Sequence, residues 1–411
     1  MTQSNAFKVL MSSNNVFVTG IPGSGKSYLI KRYINFLKND NLKIALTAST
    51  GIVASHLGGV TIHSWSGMGT IKELDDINFN KIISNKLIQE RFQTVDILII
   101  DEISMLDNRF LDNLNKLAKY FRSNNLPMGG IKTILVGDFY QLPPVNIDND
   151  SGSGFAFNSI IWRELDLVVC YLTQSFRHTG GDFINQILRE IRERKISSSS
   201  LDLLHYCLNK NTPKNITKLY PYNYDVENEN MAQNNRLNTK EITFRAQKSG
   251  SKRYQSELFK NSGVKEYLKL KIGSKVMFTV NRPKDGFLNG TLGEIVDFVD
   301  GLPLIRLLGG KYVRVNYNSW TLEINGQILA KIAQLPLKLS WAITIHKSQG
   351  TSLDHAEIDL GRSFAPGMGY VALSRVRSID GLYLKSLNKM ALILDNRISL
   401  MDQKWRQLKS H

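Results

Sequence analysis

Eight residues, Gly20-Ile21-Pro22-Gly23-Ser24-Gly25-Lys26-Ser27, restrict this 411-residue chain more than any other stretch. They fit the pattern G-x-x-x-x-G-K-[ST], and their flanks suit it. The preceding run Asn15–Thr19 is apolar and β-branched, as in a buried strand. The following run Tyr28–Leu37 is apolar at helical spacing. A strand, a glycine turn and a helix N-terminus make a phosphate cradle, because glycine lets backbone N–H groups close on the phosphates. Lys26 is placed to reach the β- and γ-phosphates, and Ser27 to hold Mg²⁺. The competing reading is a chance match in an ordinary βα turn. Both correct flanks argue against it, so the chain is expected to bind a nucleoside triphosphate.

Other signals fall where strands of such a sheet would end. Asp101-Glu102 follows the apolar run Ile97–Ile100, at the strand end where ligands sit in parallel sheets. Asp101 suits the Mg²⁺ shell and Glu102 the activation of an attacking water; an acidic helix start is the bland alternative. Gly137–Val145 follows another apolar strand, with Gln141 expected near the γ-phosphate and Pro143-Pro144 stiffening the end of the segment. Thr47–Gly51 carries small hydroxyl residues suited to a phosphodiester. Trp65, beside His63, is suited either to stacking on a base or to the core, and taken alone the core reading is favoured. Arg177 and Arg375 each end an apolar run, where a guanidinium can be aimed at a transferred phosphoryl group; a surface ion pair is the default for either one alone.

The alternation of strand-like and helix-like segments over the first 170 residues predicts a parallel sheet with helices on both faces. The strands are Val16–Thr19, Lys43–Thr47, Asp96–Ile100, Thr133–Val136 and Asp166–Leu172, with a helix over Leu106–Phe121. Residues 60–90 read as a small insertion, 148–154 as a polar loop and 195–200 as a linker. Short alternating runs over 273–330 predict a small antiparallel barrel or sheet, and after Leu335 the strand–helix alternation returns.

The formal net charge of +16 is unevenly placed. Residues 1–170 hold 16 Lys and Arg against 15 Asp and Glu, whereas 171–411 hold 36 against 21. A polyanion partner or a lysine-rich solvated surface explains that excess equally well. No run of 18 or more uncharged apolar residues suggests a membrane span, and the N-terminus has no secretory pattern. The two cysteines, Cys170 and Cys207, lie among apolar residues and read as buried small hydrophobes suited to a reducing cytosol.

Taken in order, these motifs resemble the superfamily-1 DNA helicases of the Pif/RecD type, most closely the Pif branch. The most specific match is Ala342–Thr351, with Leu353-Asp354 and Tyr370–Arg375 after it. The resemblance spans residues 3–385 and implies two RecA-like domains in tandem. Domain 1A would cover 1–170, with a 1B wedge at 60–85. Domain 2A would cover 171–244 and 333–411, with an SH3-like 2B insertion at 245–332. It implies ATP and Mg²⁺ as ligands, with Gln3 reading adenine and Gly20, Pro22, Gly23, Ser24, Gly25, Lys26 and Ser27 forming the cradle, Gln349 and Gly350 completing the nucleotide edge. Lys26, Asp101, Glu102 and Gln141 would be the hydrolytic set, with Arg177 and Arg375 as fingers and Ser27 and Asp101 on the metal. Thr47, Thr50, Gly51, His63, Trp65 and Pro143, with His346, Lys347 and Ser348, would meet single-stranded DNA.

The activity implied is 5′-to-3′ translocation on single-stranded DNA, with unwinding of duplexes, forks and G-quadruplexes. Single-stranded DNA and its duplex junctions would be the partners, the chain acting as a monomer beside single-strand-binding or replisome proteins, with no membrane. The setting would be the nucleoid of a bacterium or a phage host. The chain departs from the family in a P-loop reading Ile-Pro-Gly-Ser, in a short 1B segment and in having no long extension before Gln3, so it is expected to be a bare catalytic core. Two rivals stand beside this reading: a RecD-like subunit of a recombination nuclease, and a nucleotide-switched DNA clamp that does not unwind. No guanine signature supports a GTPase switch.

Overall fold

The strand end at Gly20 organises the first part of the molecule. The computed structural model describes residues 1–69, 71, 74–144, 154–174, 176, 183–213, 216–307, 309–324 and 327–407. Contacts divide the chain into two compact units, one formed by Met1–Pro213 with Ile345–His411, the other by Lys214–Thr344.

The first unit is built on six strands: β1 (Val16–Gly20), β2 (Ile44–Ala48), β3 (Val60–Thr61), β4 (Ile97–Asp101), β5 (Lys132–Val136) and β6 (Val168–Leu172). They lie in the order β3-β2-β4-β5-β1-β6, every neighbouring pair parallel. β1 and β4 are buried along their whole length, as central parallel strands must be when helices cover both faces. This is the parallel α/β sheet expected from the alternation, and it fits the RecA-like domain that the resemblance implies. Two helices frame the cradle. Helix α1 (Gln3–Met11) is capped by the Thr2 hydroxyl and buries Ala6 and Leu10. Helix α2 (Lys26–Phe36) starts behind Gly25 and buries Leu29, Ile30 and Tyr33.

Between β2 and β4 the chain forms β3 and the short helices Ile62–Trp65, Asp76–Ile83 and Lys86–Thr94. The expected linker at 195–200 is instead a helix start. Ser197 caps the helix Ser198–Leu208, and its N–H and hydroxyl donate to the Glu190 carboxylate. Serine is as much a cap as a loop residue, and here the cap prevails. The polar loop expected at 148–154 lies outside the described residues except for Gly154.

After Ile345 the chain adds the parallel strands Ala356–Leu360 and Leu382–Leu387, a buried helix Met368–Leu373, and a last helix, Asn396–Gln407. Trp405 of that last helix drives into the sheet, 5.0 Å from the Phe17 ring of β1 and 5.3 Å from Phe139. Both cysteines are free and buried.

The second unit pairs Thr217–Tyr220 with Ala342–Thr344 in parallel, braced by the helix Asn223–Asn235, whose Asn230 amide bonds both the N–H and the carbonyl of Ala342. Its antiparallel part is a five-stranded sheet. Its strands run Tyr312–Arg314, Leu302–Leu307, Leu292–Val299, Lys275–Phe278 and Leu337–Leu339 in spatial order, as the alternation over 273–330 predicts. Its core includes Val276, Phe278, Phe287, Ile295 and Ile305. A long hairpin, Asn318–Ile324 with Gln327–Gln334, pairs with Gln247–Gly250, and the helix Lys252–Ser262 lies among its apolar contacts.

Trp405→Ala should destabilise the first unit by about 3–5 kcal/mol, because it opens a large cavity among aromatic rings. Urea unfolding followed by circular dichroism would read this as a lower midpoint.

Candidate functional site

The P-loop closes over a cavity of about 500 Å³ whose lining includes Gly23, Lys26, Ser27, Glu102, Gln141 and Arg375. Its shape comes from backbone conformations that only glycine adopts cheaply. Gly20 has φ +145°, and a Cβ there would stand 2.2 Å from the Leu172 carbonyl oxygen of β6. Gly25 has φ +81°, and a Cβ would meet the Gln3 amide nitrogen at 2.5 Å. Gln3 donates from Nε2 to the carbonyls of Ser24 and Gly25, at 2.8 and 3.1 Å. Helix α1 thus holds it against the loop. Its Oε1 is buried with no partner among the described residues, as are Ser24 Oγ, Glu102 Oε2 and both amide atoms of Gln349. Buried polar atoms are almost always paired, so such a cluster around one cavity is the signature of a polar ligand.

Lys26 opens helix α2 and donates to the Gly20 and Ile21 carbonyls at 2.9 and 3.1 Å. Burial holds its ammonium below the usual lysine range. Asp101 ends β4, where its carboxylate accepts from the Glu102 N–H at 2.8 Å and is hydrogen-bonded by Ser27. Burial pushes Asp101 up to about 6. Burial and the neighbouring Asp101 charge push Glu102 up to about 7. Glu102 also has φ +53°, a conformation rare for a non-glycine residue and a mark of local strain at a site. No group of three or more His, Cys, Asp and Glu side chains suited to a metal occurs among the described residues. The Ser27–Asp101 pair fits Mg²⁺ instead, an ion that keeps several waters and uses one or two protein oxygens.

Arg375 reaches the same cavity two residues beyond the helix Met368–Leu373. It is 2% exposed, and Ser374 Oγ, the Val371 carbonyl and the Thr351 carbonyl fix its guanidinium. Its Nη2 lies 3.5 Å from Gln141 Oε1. Gln349 is buried and Gly350 borders the cavity with φ +79°. Arg177 lies outside the described residues.

The chain is similar over this whole frame to proteins of known kind. PIF1-like helicase is the family that matches residues 3–198. The ATP-dependent DNA helicase Pif1 of a Psychrobacter strain is 35% identical, covering 99% of this chain and 71% of the relative. The solved Pif1 helicase of Candida albicans superposes with a TM-score of 0.91 at 31% identity, covering 98% of both chains. A Bacteroides Pif1 helicase, solved in complex with ADP-AlF3 and single-stranded DNA, superposes with a TM-score of 0.81 at 27% identity over 99% of this chain and 97% of that one. The chain belongs to the PIF1-like helicase family.

The residues expected to meet DNA in this family member divide into two groups. Thr50 and Gly51 are half-buried at the start of the helix Gly51–Leu57, and His63 is half-buried against Phe110, its ring centroid 4.5 Å away. Burial lowers the His63 pKa. Pro143 and His346 are half-buried, and Lys347 is exposed. Three side chains of the set are turned inward, and for Trp65 this is the core position favoured when that residue is taken alone. Trp65 is 6% exposed with its ring 4.6 Å from Phe92, so it is a core residue and presents no face to a base. Thr47 is fully buried, donating to the Ile99 carbonyl at 2.7 Å. Ser348 is fully buried and donates to the Ile345 carbonyl at 2.7 Å. An inward hydroxyl satisfied by backbone has no reason to leave it for a phosphate.

Tyr28, Ser352 and Arg377 border the cavity without being singled out in the sequence, and Phe176 borders it although only its neighbour Arg177 is given a role there. Phe176 is tied to the loop by its N–H to the Gly23 carbonyl, at 2.9 Å, and its ring approaches Gly25 beside Gln3. Its position beside Arg177 in the motif was the available signal. Trp65→Phe should lower thermal stability yet leave oligo-dT affinity within about twofold, since the ring contributes packing and no stacking platform. Fluorescence anisotropy and a melting curve would check both halves.

Proposed function

We propose that this chain is an ATP-dependent DNA helicase that translocates 5′-to-3′ on single-stranded DNA and opens duplexes and forks, with G-quadruplexes as further substrates. The observation that carries the reading is the gathering of Lys26, Asp101, Glu102, Gln141 and Arg375 around one cavity in a single chain. A binding clamp needs the cradle; it has no use for a carboxylate poised beside an arginine finger. The family resemblance implies the 5′-to-3′ direction and the substrate class.

In this reading Lys26 and the α2 N-terminus bind the phosphates, and Gln3 and Phe176 hold the adenine side. Ser27 and Asp101 hold Mg²⁺, which neutralises phosphate charge when bound. Glu102 accepts the proton of the attacking water. Gln141 senses the γ-phosphate. Arg375, with Arg177 as the second finger, meets the charge that develops on the transferred group. Gln349 and Gly350 complete the nucleotide edge. Thr50, Gly51, His63, Pro143, His346 and Lys347 line the strand path. Contacts of that kind fall mostly on phosphates, so binding is independent of sequence and weakens with salt.

We assign 1–170 to domain 1A with a wedge at 60–85, 171–244 and 333–411 to domain 2A, and 245–332 to an SH3-like 2B insertion. We take the ATPase unit to be a monomer, as the family resemblance implies. A nucleoid setting accords with the free cysteines and the bacterial relative.

Lys26→Ala should abolish ATPase activity while single-strand affinity and melting temperature stay near wild type. A large fall in stability would make Lys26 structural. Glu102→Gln should bind ATP and fail to turn it over; normal turnover would remove it as the base. Strand separation on duplexes with only a 5′ or only a 3′ single-stranded tail tests the whole reading. Opening of the 5′-tailed substrate alone, lost in Lys26→Ala, is expected. Opening of the 3′-tailed one would overturn the direction, and DNA-stimulated ATPase without opening would favour a translocase that needs a partner.

A further inference from the structure

Behind the nucleotide cavity lies a second polar cluster that none of the expected roles uses. Its centre is Arg192, on the helix Phe183–Glu193, 4% exposed. One guanidinium there serves four elements. Nη2 pairs with Asp138 Oδ1 at 2.6 Å and points at the Gly20 carbonyl at 3.3 Å. Nε donates to the Tyr370 hydroxyl at 2.7 Å, and Nη1 to the Tyr171 hydroxyl at 2.9 Å. Tyr370 closes the ring by donating to Asp138 Oδ2 at 3.0 Å. The guanidinium also covers the Tyr140 ring at 4.5 Å. Tyr140 and Tyr171 both donate to Asp402 of the last helix, at 3.2 and 2.9 Å, and Arg406 completes that carboxylate at 2.8 Å.

Each arm leads to a group at the cavity. Gly20 is the first residue of the P-loop, and its carbonyl is shared with Lys26 Nζ. Asp138 sets the turn that carries Gln141: its Oδ1 accepts from the Tyr140 N–H, and its carbonyl accepts from the Gln141 N–H. Tyr370 lies on the helix that presents Arg375 five residues on. Gln141 and Arg375 meet at 3.5 Å, so their register depends on two segments that are joined through Arg192.

A charge pair buried this deeply is weak evidence for stability, because its desolvation offsets its attraction. The planar fork instead fixes geometry, since its donors leave in set directions that an ammonium lacks. We propose that Arg192, with Tyr370 and Asp138, is a positioning device for ATP hydrolysis, holding the P-loop strand end, the Gln141 turn and the Arg375 helix in one register. It rests on the ATPase reading above. Arg192 is not among the residues that line the cavity; it acts through Gln141 and Arg375.

The test uses the full chain and two variants. Tyr370→Phe removes one hydroxyl and keeps the ring. Arg192→Lys keeps the charge and removes the fork. DNA-stimulated ATPase kcat should fall about tenfold or more in each, with the KM for ATP within about twofold, because misplacement acts on the transition state more than on ground-state binding. The melting temperature of Tyr370→Phe should stay within a few degrees of wild type. The double variant should be no slower than the worse single one, since both break the same linkage. Wild-type kcat in Tyr370→Phe would overturn the inference. So would a loss of kcat that tracks unfolding and returns on cooling, which marks a purely structural cluster. An inactive wild-type chain would overturn the ATPase reading itself, and this inference with it.

Discussion

Charge buried at the carboxyl end of β1 is the constraint around which the first unit is built. Lys26, Asp101, Glu102, Asp138, Arg192 and Arg375 all lie at the ends of neighbouring segments, largely out of water. Isolated charges there would be prohibitive, and the chain answers with pairing and backbone donors. Asp138 and Arg192 each have only 1% of the side chain exposed and are matched to one another, with tyrosine hydroxyls filling the remaining positions. The carboxylates nearer the cavity are less fully matched. Burial pushes Asp101 up to about 6, and burial with the Asp101 charge pushes Glu102 up to about 7. The same low dielectric that penalises them makes their interaction with a bound metal or phosphate strong.

Sheet topology turns this chemistry into a site. In a parallel sheet every strand ends on the same side, and side chains just past those ends converge. Gly20, Asp101 and Asp138 lie at or just past the ends of β1, β4 and β5, which are adjacent in the order β4-β5-β1. Arg375 and Gln349 lie more than 200 positions further on and reach the cavity or its border only because the last part of the chain folds back onto this unit. The last helix secures that return twice, by Trp405 among the rings of Phe17, Phe139 and Trp162 and by Asp402 among tyrosine hydroxyls.

Much of this was legible because the signals are local. Five strands of the main sheet, the cradle and the acid pair each declare themselves within ten residues, through uniform apolar runs broken by glycine or acid. What was not legible is of three kinds. The strand Val60–Thr61 is too short to carry a period. The serines at 197–200 permit loop and cap alike, and the Glu190 carboxylate seven residues earlier decides between them. Thr47 and Trp65 have side chains suited to DNA, yet their direction depends on the pleat of β2 and on Phe92, which sequence spacing does not reveal. Arg192 is the extreme case. Its partners lie 54 residues before it and 178 after, and in the sequence it is one charge in an amphipathic helix.

Several of the buried polar atoms without a partner gather at the cavity, where the scaffold meets the binding surface. Gln3 Oε1, Ser24 Oγ, Glu102 Oε2 and the Gln349 amide are buried without a partner among the described residues, and each lies at or beside the residues that border the cavity. Leaving such atoms unmatched costs stability, on the order of 1–3 kcal/mol for each group. Deeper in the same unit the Arg192 guanidinium and the Asp402 carboxylate each meet several partners. The partnered cluster and the unpartnered one lie a few residues apart, so the difference between them is one of role. The partnered cluster holds the backbone in place, and the unpartnered one keeps hydrogen-bonding capacity for a ligand that brings its own donors and acceptors.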